Sequence, residues 1–222
     1  MSIQSLHPWT DDPDEATRLQ EVLRERLVLA WDGRQVRTIG GVDVSYTVSE
    51  VHAAILTLHY PGLTPQSTAT AEAPIVFPYI PGLLAFRIGP AILAAWENLE
   101  RKPEVLLFHG HGIAHPRGIG LASQMGLWLE IPTIGVARRK LYGNHQEVGA
   151  QPGDWSELLD DQDPSRVIGA VVRTREATRA IYVSPGHLID SQRAVEFVLM
   201  CCRSNRMPEP IRLAHKVAAA HK

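Results

Sequence analysis

The sequence predicts an α/β protein, built on one mixed β-sheet flanked by helices. Three observations predict it. Residues 38–46, 51–60 and 67–76 are strand-like runs separated by short turns, the pattern of an antiparallel meander. After them, strand-like and helix-like runs alternate, which brings strands together in parallel. One of these, Val105-Leu106-Leu107-Phe108, is apolar throughout and so reads as a strand buried on both faces. It ends at His109-Gly110-His111-Gly112, and in an open α/β sheet ligands gather beyond the carboxyl ends of the strands.

Taken in order, residues 1–12 are polar, with a loose tip. Pro13-Asp14-Glu15 opens a helix with Asp12 as its N-cap and acidic residues in its first turn. Leu19, Val22, Leu23, Leu27 and Ala30 continue it at helical spacing until Gly33. Asp43 is the odd residue of the first strand, a carboxylate between Val42 and Val44. It is either a solvent-wetted end position or a group retained for metal or proton chemistry, because an idle buried charge is costly.

Phe77-Pro78-Tyr79-Ile80-Pro81-Gly82 is a stiff loop that two prolines bar from a sheet. Its tyrosine can stack on a base or wedge into a duplex step; the alternative is a hydrophobic staple into the helix carrying Ile92, Leu93, Trp96 and Leu99. Pro116 and residues 120–129 are the start and body of the next helix, and 133–137 a strand. Arg138-Arg139-Lys140 follows it, either a phosphate-binding cluster or a solvated charge run. Residues 151–164 are acidic and turn-rich, with a short helix at 155–159. Strands are expected at 167–172 and 180–183, a turn at 184–187, a helix at 191–202, and a last helix from Arg212.

Composition narrows the class. The chain has 222 residues, 45% of them hydrophobic, with a formal net charge of −2. It reads as one domain, residues 1–222, with no global basic field, so any anion-binding surface is local. Cys201 and Cys202 are adjacent in an apolar helical stretch, which suits a reducing cytoplasm rather than a disulfide framework. No apolar run reaches the roughly 20 residues needed to span a bilayer. The expected location is cytoplasmic and the expected state a monomer.

Three histidines, His109, His111 and His115, crowd the Gly-rich end of the apolar strand. Core packing explains one such histidine; three point to a site. Gly41-Val42-Asp43-Val44, Pro78-Tyr79-Ile80-Pro81-Gly82 with Phe86-Arg87, Gly110-His111-Gly112-Ile113-Ala114-His115-Pro116-Arg117, Pro132-Thr133-Ile134-Gly135-Val136-Ala137 and Gly186-His187 follow one another along the chain. In these motifs and their order the chain resembles the endonuclease V family over nearly its whole length.

The resemblance implies a ribonuclease H-like mixed β-sheet flanked by helices. It also implies Mg²⁺- or Mn²⁺-dependent phosphodiester cleavage near deoxyinosine in DNA, or inosine in RNA, as in DNA repair. Asp43 matches the first metal-binding aspartate, Tyr79 the wedge tyrosine and His187 the late active-site histidine. His115 matches the histidine of the loop after the apolar strand. Pro78, Ile80, Pro81, Gly82, Gly110, His111 and Gly112 fall with Tyr79 and His115 on the implied nucleic-acid surface.

Three positions depart from the family pattern. Ile88 stands where a metal-side glutamate belongs, and His109 where a second metal aspartate belongs. Arg138, followed by Arg139 and Lys140, replaces a lysine that acts at the site.

Three carboxylates thus become one. Hard Mg²⁺ wants oxygen ligands, and a pair of ions about 4 Å apart needs carboxylate charge to hold it. The expectation is an endonuclease V-like protein whose Mg²⁺-dependent cleavage is impaired, or a non-cleaving module that binds inosine-bearing or distorted strands. For Asp43 and His109 two readings stand: first ligands of a single Mn²⁺, Zn²⁺, Ni²⁺ or Fe²⁺, or a metal-free pair in which His109 hydrogen-bonds Asp43 or meets a phosphate. Asp43, His109 and His187 are expected to converge at one rim, with Tyr79 and residues 138–140 beside it.

Overall fold

The computed structural model describes residues 5–220. The chain runs α1 (Pro13–Arg24), β1 (Thr38–Tyr46), β2 (Glu50–His59), β3 (Pro65–Pro74), α2 (Leu84–Asn98), β4 (Val105–His109), α3 (Leu121–Leu129), β5 (Thr133–Ala137), β6 (Asn144–His145), β7 (Trp155–Leu159), β8 (Val167–Val172), β9 (Ile181–His187), α4 (Ser191–Cys201) and α5 (Glu209–Ala219). All nine strands lie in one sheet of order β3-β2-β1-β4-β5-β9-β8-β7-β6. β1, β4 and β5 are parallel at its centre, and antiparallel strands extend both sides. This is the ribonuclease H-like mixed sheet flanked by helices.

Alternation along the strands builds two apolar layers. Val105 and Leu107 share one with Ile39, Val136, Val195, Phe197 and Ile211, under α4 and α5. Leu106 and Phe108 share the other with Val42, Ile55, Ile88, Ile92 and Met125, under α2 and α3. Covering both faces explains why β4 is apolar at every position but its last.

Gly41 decides how α5 seats. A Cβ there would lie 2.2 Å from the carbonyl carbon and oxygen of Pro210, so only glycine lets the start of α5 rest on β1. From that contact helix and strand advance together. Five residues of helix and two of strand cover about 7.5 and about 6.6 Å, which brings His215 over Asp43. Two residues further, Ser45 Oγ donates to the Ala218 carbonyl at 2.5 Å.

Four local expectations are corrected. Residues 155–159 form strand β7, because their pairing with β8 buries Leu158 and leaves Trp155 exposed. Residues 184–187 are the end of β9, not a turn. They pair with β5 across a register shift at Thr133/Ile134, and such an irregularity tolerates Pro185, which has no N–H to give the ladder. The first helix stops at Arg24, and Leu27 packs under the loop at Ile113 and Ile119 instead of extending it. The helix after β4 starts at Leu121 and not at Pro116; the N-terminal tip, residues 1–4, lies outside the described residues, and behind it His7 and Trp9 pack edge-on and stacked against Trp128. Among the described residues no helix is long and apolar enough to cross a membrane.

Candidate functional site

Asp43, inside β1, and His109, the last residue of the parallel strand β4, stand one rung beyond the Val42↔Phe108 pair. His109 Nδ1 donates to both carboxylate oxygens of Asp43, at 3.1 Å each. His215, from α5, donates from Nδ1 to Oδ2 at 2.8 Å, and the Val44 N–H donates to Oδ1 at 2.8 Å. Asp43 is only 7% exposed. Burial pushes its carboxyl up, but the His109 contact, the Val44 N–H and His215 outweigh this and hold it below the ordinary carboxylate range.

This geometry does not fit the Mg²⁺ pair that the family pattern implies. The lone carboxylate is already engaged by three donors. Both imidazoles turn Nδ1–H, not a lone pair, toward it. Ile88 is 2% exposed and packs with Val42 and Phe108, the chain neighbours of Asp43 and His109. Among the described residues no three His, Cys, Asp or Glu side chains are placed to hold a metal ion.

The proline-framed loop both staples and projects. Phe77 and Ile80 pack with Ala16, Leu83 and Phe86, while Tyr79 stands 72% exposed between exposed Pro78 and Pro81. Gly82 closes the loop at φ +86°, a left-handed backbone that favours glycine. Its carbonyl accepts from His115 Nε2 at 2.9 Å and from Arg117 Nη2 at 2.9 Å. His115 Nδ1 in turn accepts from the Arg117 N–H at 3.2 Å, which fixes the neutral tautomer. Burial, aided by the Arg117 charge, lowers His115 to about 4. His115 therefore holds the Tyr79 loop from behind.

Tyr46 and Arg87 complete the wall between that loop and the carboxylate. The Arg87 guanidinium lies 5.7 Å from the Tyr46 ring centroid, and its Nη1 donates to the Phe77 carbonyl at 2.6 Å. Burial raises the Tyr46 hydroxyl, whose surroundings include Arg87, Asp43 and Tyr79.

The loop after β4 is fastened to the sheet. Gly110 N–H donates to Val136, Gly112 N–H to Ser184 Oγ at 2.8 Å, and half-buried His111 meets the Arg139 carbonyl through Nε2 at 3.1 Å. Burial lowers His111 from its ordinary value. Arg138, Arg139 and Lys140 are exposed and line a groove beside this loop. Arg138 makes no hydrogen bond to Asp43 among the described residues.

His187 does not join the rim. It pairs with Thr133, at the start of β5, whereas His109 pairs with Val136 near its end. Its Nδ1 accepts the Val28 N–H at 3.2 Å, fastening the segment after α1. The histidine that does reach Asp43 is His215, which the sequence reading missed along with Tyr46. Nothing in residues 209–219 signals it, because its place depends on the contact of α5 with Gly41.

The comparisons agree over the length of the chain. The family profile described as Endonuclease V matches residues 21–216. An endonuclease V from Methanothrix thermoacetophila is 44% identical over 215 residues, 97% of this chain and 94% of that protein. The crystal structure of the Streptomyces avermitilis endonuclease V superposes with a TM-score of 0.90 at 33% identity, covering 100% of this chain and 97% of that one. The Ciona intestinalis endonuclease V, solved with a 24mer DNA containing an inosine followed by a ribo-adenosine, gives a TM-score of 0.78 at 26% identity, covering 94% and 96%. On the profile match and these identities, the chain belongs to the endonuclease V family.

Proposed function

We propose that this protein recognises inosine-bearing nucleic acid on the endonuclease V surface without Mg²⁺-dependent strand cleavage. One observation carries the reading: the single carboxylate of the site, Asp43, spends its oxygens on His109, His215 and the Val44 N–H. A hard cation would have to displace two imidazoles to gain one ligand. The parts that support binding are three. Tyr79 projects from its braced loop beside the site, the β4 loop is pinned, and cationic residues flank it. The inosine-containing DNA held by the Ciona relative supports the choice of ligand.

The test is a paired binding and cleavage assay on single- and double-stranded DNA and RNA, with and without inosine, in Mg²⁺, Mn²⁺, Zn²⁺ or chelator. Preferential binding of inosine strands with no Mg²⁺-dependent product is the expected result. Robust Mg²⁺-dependent cutting overturns the proposal, and so does indifference to inosine. Cutting in Mn²⁺ or Zn²⁺ alone would favour a single ion held by the outward Nε2 atoms of His109 and His215.

A further inference from the structure

A groove of about 500 Å³ opens on the same edge of the sheet as Asp43. Five cationic side chains line it, Arg138, Arg139, Lys140, Arg173 and Arg179, against one carboxylate, Glu147. Arg173 is fixed by donating to the Gly149 and Thr178 carbonyls. Arg138, Arg139, Lys140 and Arg179 have no side-chain hydrogen bond or ion pair among the described residues. Behind them Arg206 donates to the Arg138 carbonyl at 3.0 Å and the Ala180 carbonyl at 2.9 Å, tying the two walls together. Burial above all, and then the charges of Arg138 and Arg179, push the Arg206 guanidinium below its usual value.

One hydrogen bond ties the groove to the loop that follows the site. His111, two residues beyond His109, holds the Arg139 carbonyl. From β4 through β5 and β9 to β8 is three inter-strand spacings, about 14 Å. We propose that the groove is a second phosphate subsite, which holds the sugar-phosphate backbone of the bound strand after it leaves the Asp43 rim; this rests on the function proposed above. Guanidinium forks with free donors suit phosphate oxygens, and such contacts position a strand without reading its bases.

Arg179→Gln and Lys140→Gln, singly and together, test it, since neither side chain makes a hydrogen bond or ion pair among the described residues. The probes are labelled single strands with a central inosine, one too short to span about 14 Å and one several times longer, titrated across a salt series. The longer strand is expected to show the steeper salt dependence. Each substitution should flatten its log–log slope by about 0.7, and Arg179→Gln should leave that of the short strand unchanged. The same flattening is expected when adenine replaces inosine, so the groove stays testable where inosine preference is absent and the function proposed above has failed. Equal long-strand slopes in parent and variants overturn the subsite. Loss of inorganic triphosphate binding with an unchanged long-strand slope also overturns it, by assigning the groove to free polyphosphate.

Discussion

His215 Nδ1 lies 2.8 Å from Asp43 Oδ2, joining positions 172 residues apart. The contact exists because α5 rests on Gly41. Gly41→Ala sets a Cβ within 2.2 Å of backbone atoms of Pro210 and 2.7 Å of the Ile211 nitrogen, which cannot give way as a flexible side chain would. The substitution should cost about 1–3 kcal/mol, read as a lowered urea midpoint. It should also uncouple the two ends of the contact. Asp43→Asn should shift the His215 ring signals in NMR spectra of the parent, and no longer do so in Gly41→Ala. An unchanged midpoint and intact coupling would show that α5 is not seated by this glycine.

His115 makes stability depend on acid. Burial and Arg117 lower its folded-state value to about 4 from an ordinary 6.5, so between those values the unfolded chain binds a proton that the folded chain refuses. Its contribution is full above pH 6.5, declines as pH falls, and is gone below about 4. A shift of that size corresponds to about 3 kcal/mol. Urea unfolding at stepped pH should show stability falling through this window in the parent. His115→Gln should show a shallower fall, the remainder coming from His7, His111 and His187, which burial also lowers. Equal slopes in the two proteins would remove His115 as the source.

What could be read from the sequence was what local pattern controls. Thr38–Tyr46, Thr133–Ala137 and Val167–Val172 are strands at the expected bounds, because each is a β-branched or apolar run stopped by turn residues or charge. Asp43 and His109 are expected together and their side chains approach to 3.1 Å, since Asp43 follows the Val42↔Phe108 pair and His109 ends the neighbouring parallel strand. Residues 155–159 were misread because five residues cannot separate a helical period from an alternating one. His187 and His215 exchanged places for a different reason. The first depends on the register of β9 on β5, the second on a helix docking against a glycine far away in the chain, and neither is written in nearby residues.

Tyr79 is free to be a binding residue because it does little for the fold. At 72% exposed, its loss to alanine should change folding stability by about 0.5 kcal/mol or less. Binding of an inosine strand should weaken by about 1–3 kcal/mol if a base stacks on the ring. Tyr79→Phe, which keeps the ring face, should bind like the parent. Fluorescence anisotropy on the three proteins checks this, and equal affinity of parent and Tyr79→Ala would take Tyr79 out of the interface.

On the proposed function, Ile88 and His109 set the limit on Mg²⁺ chemistry, and both can be replaced by the carboxylates of the family pattern. Ile88→Glu alone puts a carboxylate where the side chain is 2% exposed among Val42, Phe108 and Ile92, so the variant should be destabilised by several kcal/mol, as for a buried unpaired charge. His109→Asp alone removes one imidazole from Asp43 and sets two carboxylates against each other. Combined, the two changes restore the three-carboxylate set that the family pattern implies, a set suited to a hard cation. The double variant should therefore melt below the parent in chelator and recover in Mg²⁺, by about 2.7 kcal/mol once the free ion reaches 100 times its Kd. The parent should show no such Mg²⁺ effect. Inosine-directed cleavage should appear in the double variant with Mg²⁺ and be far weaker in either single one, because the attacking water and the leaving oxygen need the complete set. A double variant that folds but neither gains stability nor cuts in Mg²⁺ would show that these two side chains are not what limits Mg²⁺ chemistry.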